Sequence, residues 1–539
     1  MVARLKLSSS QLSIIVAVFI ILVNNQVFFS SVTERLDAFS GAGLGYIVTF
    51  YMLMMGILAL FFIVAGQKYL LKPLLIIFLI VSCVISYFNQ ELGSIIDRDM
   101  VRNVFETIKD NNQQEALELL SLPLIVHVSL FGILPSIFAL WVKVDYKKNI
   151  IYELLSRLAY ASFIIVLVTV MIVANFKYLT YFSRENKDLR VWVTPLFPVV
   201  ETKKFISSKF SNKDVPFKQL GGDARQDKVG NKRTLGIMVV GETARADHFS
   251  LNGYALKTNP RLEQEGVLSL SNATSCGTST AFSVPCMFSF LGRGDYSPSK
   301  ADKQSNTLDV LSKAGIKTVW IDNNSSCKGV CTRIETKNIR NNPDPASKYY
   351  SDGEYYDEIL VDEMQPYIEA NQADTLIVLH TLCSHGPSYH RRFPKGFQKF
   401  TPYCKRNSPQ ICPDEKVSNA YDNTIVYTDY VLSKIIEFLK QHSDQYESFL
   451  VYASDHGESL GENGVYLHGL PYMIAPKAQT HIPFIAWFSE DFEKNHQIDL
   501  NVLKSKAGQA YSHDNLSHSL LGLFNVKSEV YQKDKDIFD

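Results

Sequence analysis

The sequence predicts a two-part protein: an N-terminal all-α membrane domain with five transmembrane helices, followed by an α/β/α sandwich with a mostly parallel sheet. Apolar residues crowd the first third of the 539-residue chain, although the mean hydropathy of the whole is near zero. After about residue 235, short apolar runs typical of buried strands alternate with stretches of helical periodicity. Such alternation favours a parallel sheet that is covered on both faces.

Five apolar stretches in the first part are the predicted spans. Four are long enough to cross a bilayer, and a fifth, 70–88, is slightly short but nearly uncharged. The four lie at 11–32, 45–66, 122–142 and 158–176. Buried core helices are the alternative for one or two of them, but five consecutive stretches favour a membrane domain. The first stretch is too long for a signal peptide, and no small-residue cleavage site follows it.

The distribution of charged residues predicts the orientation of the chain in the membrane, and the net charge argues against one class of function. Lys and Arg cluster before the first span and between alternate pairs of spans, whereas the loops 33–44 and 89–121 carry fewer. The positive-inside rule therefore predicts a cytoplasmic N-terminus, and five crossings place everything after about residue 177 outside the cytoplasm. A net charge of zero argues against a nucleic-acid-binding surface.

These observations predict the domain organisation. We expect a transmembrane domain at 1–180, an interfacial connector at 181–234 and a catalytic domain at 235–539. The loop 89–121 has helical periodicity and little turn chemistry, so it is predicted to contain a helix along the outer membrane surface.

Six of the eight cysteines lie in the second part as closely spaced pairs. The pairs are Cys276 with Cys286, Cys327 with Cys331, and Cys404 with Cys412. Short loops of this kind are typical of disulfides in an oxidising compartment. A cysteine zinc site is the alternative, but the spacing lacks a second CxxC motif or neighbouring histidines. Cys83 and Cys383 have no evident partner and are predicted to be free thiols.

Polar residues after two predicted strands indicate a metal site. Glu242 follows one apolar run, and Asp455 with His456 follows another. The carboxyl ends of neighbouring strands meet at one edge of an α/β sheet, so these side chains could reach one ion. Carboxylate and imidazole ligands suit zinc. For Glu242 the alternative is stabilisation of a helix dipole. Gly457 is expected to permit the turn that brings Asp455 and His456 together.

Two loop histidines and a run of hydroxyl residues extend this set. His385 and His468 each precede a glycine; a lone loop histidine is more often a surface residue, but two such loops among twelve histidines favour a role in the site. The segment Thr278-Ser279-Thr280 opens a predicted helix, where backbone amides favour an arriving phosphate. Threonine needs a metal or a base to become a nucleophile, and ordinary helix capping is the alternative.

Together these motifs resemble the lipid A phosphoethanolamine transferases, a family that includes the mobile colistin-resistance enzymes. The similarity covers essentially the whole chain. It is carried by the segments GETARADHFSLNGY, SCGTSTAFSVPCMFS, DNNSSCKGVC, SHGPSYHRRFP, YDNTIVYTDY, SDHGESLGENGVYLHG and YSHDNL. The resemblance implies that the second domain has the alkaline phosphatase or sulfatase fold.

The resemblance also implies roles for individual residues. Thr280 would be the nucleophile and would hold one catalytic zinc ion together with Glu242, Asp455 and His456. For His385 and His468 three roles stay open: binding a second zinc ion, binding substrate phosphate, or transferring protons. The implied substrate-binding positions are Asn103, Thr107, Glu115, Ser325, Lys328, His385 and His468.

The chain departs from the family pattern at three places. Asn111 stands where the family usually has a glutamate, and Glu115 looks like the displaced match after about one extra helical turn. Cys383 replaces a glycine that usually precedes the Ser-His-Gly-Pro motif. Near Tyr349 and Tyr350 the chain lacks a cysteine pair that several relatives carry.

The implied activity is zinc-dependent transfer of phosphoethanolamine from phosphatidylethanolamine to a phosphate of lipid A, through a phosphoethanolamine-threonine intermediate and with release of diacylglycerol. The implied protein is a monomer in the bacterial inner membrane with its catalytic domain in the periplasm. A cationic amine on lipid A would weaken the binding of polymyxins and other cationic peptides. Transfer to Kdo or heptose of the lipopolysaccharide core, and glycerol-phosphate transfer, remain alternatives.

Overall fold

The computed structural model describes residues 4–35, 41–109, 117–211, 215–369 and 372–539. The chain forms two compact units. One contains Met1–Val101 and Leu120–Lys204, and the other contains Arg102–Leu119 and Phe205–Asp539. The division near residue 204 falls inside the predicted connector, and the predicted boundaries at 180 and 234 remain predictions.

The first part of the chain is helical. Its helices are α1 (Ser9–Asn24), α2 (Gln26–Arg35), α3 (Gly41–Ala65), α4 (Leu71–Glu91), α5 (Arg98–Lys109), α6 (Leu122–Val128), α7 (Leu134–Trp141), α8 (Ile150–Ala174), α9 (Phe176–Glu185) and α10 (Leu196–Ser211). A π-helical turn at Ser129–Ile133 joins α6 to α7, and a 3-10 helix covers Lys187–Trp192. The two-residue strands Lys6–Leu7 and Lys143–Val144 pair in parallel.

Four helices of the described residues are long and apolar enough to cross a membrane. They are Gly43–Ala65, Leu71–Leu92, Leu122–Trp141 and Ile150–Ala174. The first predicted span is present as α1 and α2, which bend by 63° and count as a fifth crossing if they form one broken span. Asn25 lies at the bend, where its side chain bonds the backbone N–H and carbonyl of Thr194. The predicted membrane domain is therefore confirmed with four to five spans.

Among the described residues of the second unit, eight strands form one sheet. They are β1 (Arg233–Gly241), β2 (Leu268–Thr274), β3 (Lys317–Asp322), β4 (Glu335–Asn338), β5 (Thr375–His380), β6 (Tyr446–Ser454), β7 (His481–Phe488) and β8 (Tyr511–Ser512). Their order across the sheet is β8-β2-β7-β6-β1-β5-β3-β4. Strand β7 is antiparallel to both neighbours, and the other pairings are parallel. The mostly parallel sheet is thus confirmed.

Helices cover both faces of this sheet. They include α11 (Thr280–Met287), α12 (Thr307–Lys313), α13 (Asp414–Gln441) and α14 (His513–Leu523). Further helices lie at Pro260–Gln264, Gly292–Asp295, Pro298–Ala301, Ile359–Asp362, Gln365–Glu369, Lys477–Thr480, Glu490–His496 and Leu500–Lys506. Short hairpins pair Tyr350–Ser351 with Glu354–Tyr355 and Ser459–Leu460 with Tyr466–Leu467, and Arg225–Gln226 pairs with Val526–Lys527.

The central strand β1 contributes to two separate cores because alternate side chains of a strand point to opposite faces. Ile237 and Val239 pack in a core that includes apolar residues of α13. Met238 and Val240 pack in a second core that includes residues of α11 and α14. This arrangement is the predicted α/β/α sandwich.

The parallel strands of the sheet centre end at one edge. Gly241 of β1 pairs with Ser454 of β6, and Val240 pairs with His380 of β5. The residues that follow these strands therefore meet at this carboxyl edge, where α/β sheets place their binding sites.

The three predicted disulfides are all formed, and Cys83 and Cys383 are buried free thiols.

Candidate active site

Three predicted metal ligands meet at the carboxyl edge of the sheet. The ligand atoms of Glu242, Asp455 and His456 lie within 4.8 Å of one another, and all three side chains are fully buried. His456 Nε2 is 3.5 Å from Glu242 Oε1 and 3.3 Å from Asp455 Oδ2. Within the described part of the chain, Asp455 Oδ2 has no hydrogen-bond partner. A buried carboxylate oxygen without a donor fits a cation site.

The pKa values of these three groups also fit a cation site. Burial, assisted by the charge of Asp455, raises the pKa of Glu242 to about 8. Burial raises the pKa of Asp455 to about 7. Burial also lowers the pKa of His456 well below its usual value, so this imidazole is neutral, the form that binds metals. Two carboxylates and a neutral imidazole match the ligand preference of zinc.

Thr280 is the first residue of α11, after the N-cap residue Ser279. Its Oγ1 lies 3.1 Å from Glu242 Oε2 and 3.3 Å from His456 Nε2. The Ser283 hydroxyl, one turn further along, donates to the carbonyl oxygen of Asp455 at 2.5 Å and fixes α11 against the end of β6. The predicted nucleophile therefore lies among the predicted metal ligands.

Gly457 is needed for a different reason from the one that the sequence suggests. Gly457 does not adopt a positive φ, so the chain beside Asp455 and His456 does not depend on the backbone freedom of glycine. A Cβ at this position would lie 2.0 Å from the carbonyl oxygen of Ala478. The Gly457 amide also donates to the carbonyl of Gln479 at 3.0 Å. The glycine thus permits close packing of another backbone segment beside Asp455 and His456.

We expect Gly457→Ala to lower the free energy of unfolding by about 1–3 kcal/mol, as overpacking of a dense core does, and to weaken zinc binding. Thermal unfolding with and without zinc measures both effects. Gly508→Ala is the matched control, since nothing lies within 4 Å of its added Cβ. Equal stability of the two variants would refute the packing explanation.

The two loop histidines lie beside the three ligands. The ring centre of His468 is 4.4 Å from that of His456 and 5.5 Å from that of His385. His468 Nδ1 bonds Glu458 Oε2 at 2.8 Å, and the Tyr389 hydroxyl donates to Glu458 Oε1 at 2.7 Å. The structure thus brings both predicted histidines to the site.

These histidines differ in charge. Burial alone would lower the pKa of His468, but the carboxylates of Glu458, Glu242 and Asp455 together outweigh it and raise the value to about 9. Burial, with the nearby His468, lowers the pKa of His385 well below its usual range. One imidazolium beside one neutral imidazole provides a cation for a phosphate group and a separate proton acceptor.

Sequence reasoning missed two residues of this site, Glu458 and Asn324. Asn324 follows β3, and its Nδ2 donates to Glu242 Oε2 at 2.8 Å and to the Thr381 carbonyl at 2.9 Å. Both residues lie inside motifs that the sequence does highlight, DNN after β3 and DHGE after β6. Their position after parallel strands is the signal that could have identified them.

The predicted substrate-binding residues lie on two segments. Ser325 follows Asn324 directly, and Lys328 lies in the same loop between the disulfide-bonded Cys327 and Cys331. Asn103 and Thr107 are half-buried on α5, four residues apart and so on one helix face. Glu115 and Asn111 both lie outside the described residues.

Cys383 occupies a backbone conformation that favours glycine, with φ of 41°. This explains why the family pattern has a glycine there. The thiol is buried, with Sγ 3.1 Å from the Thr428 hydroxyl, and burial raises the pKa of Cys383. A protonated buried thiol is unreactive.

A mostly parallel sheet with a threonine at a helix start among buried acidic and imidazole ligands defines a phosphoryl- or sulfuryl-transfer enzyme of the sulfatase class. The Sulfatase family model matches residues 235–526. A second model, described as phosphoethanolamine transferase EptA/EptB, matches residues 53–210.

Whole-chain relatives narrow this class. The chain is 38% identical over 533 residues to phosphoethanolamine transferase EptA of Escherichia coli strain K12, covering 97% of this chain and 95% of the relative. It is 36% identical to the Escherichia coli phosphatidylethanolamine transferase Mcr-1, covering 97% and 96%. The integral membrane lipooligosaccharide phosphoethanolamine transferase A of Neisseria meningitidis superimposes with a TM-score of 0.93 at 34% identity, covering 99% of both chains. The chain belongs to the EptA family of phosphoethanolamine transferases.

Proposed function

We propose that the protein transfers phosphoethanolamine from phosphatidylethanolamine to a phosphate of lipid A, with Thr280 as the nucleophile. The observation that carries the proposal is the Thr280 hydroxyl within 3.3 Å of both Glu242 and His456. The donor is supported by the name of Mcr-1, and a glycolipid acceptor by the name of the Neisseria enzyme. Family membership argues against glycerol-phosphate transfer.

Glu242, Asp455, His456 and the Thr280 oxygen fit one zinc ion, because they offer oxygen and nitrogen donors around an unpaired carboxylate oxygen. Bound zinc would lower the pKa of the threonine hydroxyl and stabilise negative charge on phosphate oxygens. His385 and His468 are proposed to bind substrate phosphate and to transfer protons. The bond from His468 Nδ1 to Glu458 orients the imidazole for these roles, and a second zinc ion at His468 Nε2 remains the alternative.

The proposed reaction has two steps. Thr280 Oγ1 gives its proton to the neutral His385 imidazole and attacks phosphorus, a bond forms between them, and the bond from phosphorus to the diacylglycerol oxygen breaks. The His468 imidazolium donates a proton to that oxygen, and diacylglycerol leaves. A phosphate oxygen of lipid A then gives its proton to His468 and attacks the phosphorus of the phosphoethanolamine-threonine ester. The bond from phosphorus to Thr280 Oγ1 breaks, and Thr280 regains its proton from His385. The amides at the start of α11 favour the phosphate in both steps.

We propose that the protein acts as a multi-pass inner-membrane enzyme with its catalytic unit in the periplasm. The three disulfides of that unit suit an oxidising compartment. Adding an amine to lipid A and masking a phosphate would weaken binding of polymyxins and other cationic peptides.

Mass spectrometry of lipid A from cells that express the wild type or Thr280→Ala tests this function. We expect an added phosphoethanolamine on lipid A from wild-type cells only. If lipid A is unchanged and the lipopolysaccharide core is modified, the acceptor is a core sugar and not lipid A. A modification that persists in Thr280→Ala cells would refute the nucleophile.

The charge of His468 predicts a pH dependence. The His468 imidazolium loses its proton as pH rises, and Glu458 raises the pKa at which this happens, so activity should fall on the alkaline side. Glu458→Gln removes the main group that raises this pKa, and the alkaline limit should move down by about two pH units. Profiles of kcat/KM between pH 6 and 10 measure the shift. Tyr389→Phe is the control, because it keeps the Glu458 charge and should move the limit far less. An unmoved limit in Glu458→Gln would contradict the assignment.

A further inference from the structure

A buried ion-pair cluster lies outside the residues assigned so far. The Arg392 guanidinium donates hydrogen bonds to the carboxylates of Glu118 and Glu354 through its two terminal nitrogens. Its third nitrogen, Nε, donates to the main-chain carbonyl of His385 at 2.8 Å. The side chains of Arg392 and Glu118 are each only 2% exposed. All three guanidinium nitrogens thus have partners.

The cluster joins segments that are far apart in the sequence. Glu118 precedes Arg392 by 274 residues and lies in the segment 102–119, which also carries Asn103 and Thr107 and belongs to the catalytic unit. The segment that follows β5 contains His385 and, further along, Arg392. One side chain therefore connects the segment with the proposed substrate residues to the backbone of an active-site histidine.

The charges of the cluster are nearly balanced. Arg391 lies 3.6 Å from Glu118 Oε1, and Arg340 lies 3.7 Å from Glu354 Oε1. A buried ion pair adds little net stability compared with apolar packing, because desolvation offsets the attraction between the charges. The fixed geometry of the Arg392 cluster is better explained by a role in positioning other groups than by a contribution to the stability of the fold. A planar guanidinium can hold three acceptors at set angles, which a lysine ammonium cannot reproduce.

We propose that Glu118 and Arg392 are positioning residues that fix the main chain of His385, and with it the imidazole, relative to the reaction centre. The positioning claim stands on the geometry alone, and its effect on turnover rests on the proposed function. A misplacement of about 1 Å at a reacting group lowers a rate by about 100-fold.

Hydrogen–deuterium exchange of the full-length protein in detergent tests the positioning directly. In Glu118→Gln and Arg392→Lys we expect faster exchange in peptides covering 383–392 and wild-type exchange in α13. Glu265→Gln, which breaks an ion pair with Lys440 elsewhere in the same unit, should change neither. Wild-type exchange at 383–392, or an equal increase across the whole unit, would overturn the proposal.

Turnover supplies a second readout. We expect both variants to lower kcat by about 100-fold while the KM for phosphatidylethanolamine changes by less than about threefold. In a His385→Ala background the same substitutions should cause no further loss, because a positioning residue acts only through the group that it holds. Equal losses in both backgrounds would contradict the proposal. Full activity of His385→Ala alone would refute the role of His385 in the reaction, and the exchange result would still decide the positioning claim.

Discussion

Thr280→Ala is expected to lower transferase activity by about 10⁴-fold or more, the scale of loss when a nucleophile is removed. Within the described part of the chain, the Thr280 hydroxyl is the one bonded to both Glu242 and His456. The three remaining ligands should still bind zinc, so the fold and the metal content should stay close to wild type. Transfer from phosphatidylethanolamine to lipid A, followed by mass spectrometry, measures the loss.

Thr280→Ser is the matched control for this prediction. Serine keeps the hydroxyl and loses only the methyl group that restricts χ1, so the variant should retain easily measurable activity. Because Thr280 is the first residue of α11, neither substitution disturbs the helix interior. If the alanine variant were as active as the serine variant, the hydroxyl would not be the nucleophile.

Removal of zinc is expected to have the second large effect. A chelator should abolish activity, and added zinc should restore it. Zinc affinity should also rise steeply with pH, because the carboxyl groups of Asp455 and Glu242, with pKa values of about 7 and about 8, must lose their protons before they bind the metal. Below pH 7 the affinity should increase by up to about 100-fold per pH unit and level off above pH 8, since two protons are released.

Competition titrations with a zinc chelator between pH 5.5 and 8.5 measure this slope. Glu242→Gln removes one of the two titrating ligands, so it should weaken zinc binding and reduce the slope to about tenfold per unit. Glu437→Gln alters an exposed carboxylate on α13 and should leave the zinc affinity and its pH slope unchanged. An affinity that does not depend on pH would contradict the carboxylate ligands.

The same pKa shifts affect the stability of the metal-free protein. Both carboxyl groups have raised pKa values in the folded state, so their protonated forms favour folding at low pH. This contribution is lost as pH rises through about 7 and about 8, because folding then buries two like charges. Zinc should therefore raise the unfolding temperature more at pH 8 than at pH 6.

The main features of the site could be predicted because they depend on chain order and strand direction. Glu242 and Asp455 each follow an apolar strand, and parallel strands end at one edge of a sheet. The disulfide-bonded cysteines lie close in sequence, so their pairing needs no knowledge of the tertiary fold.

The features that could not be predicted depend on contacts between distant segments. Gly457 is constrained by the Ala478 carbonyl, which a local pattern does not show. The Asn25 side chain at the helix bend bonds Thr194, 169 residues away. A single sequence could not show that Glu118 lies against Arg392 either, since the family resemblance indicates only Glu115 in this segment.

A covalent phosphoethanolamine intermediate at Thr280 is central to the proposed reaction, and mass spectrometry of the protein tests it most directly. Purified full-length protein is incubated with phosphatidylethanolamine and zinc in the absence of lipid A, then quenched and digested. We expect a phosphoethanolamine group on the peptide that contains Thr280, and its disappearance when lipid A is added. Turnover without any modified peptide, or a modification at another residue that lipid A removes equally fast, would contradict the account.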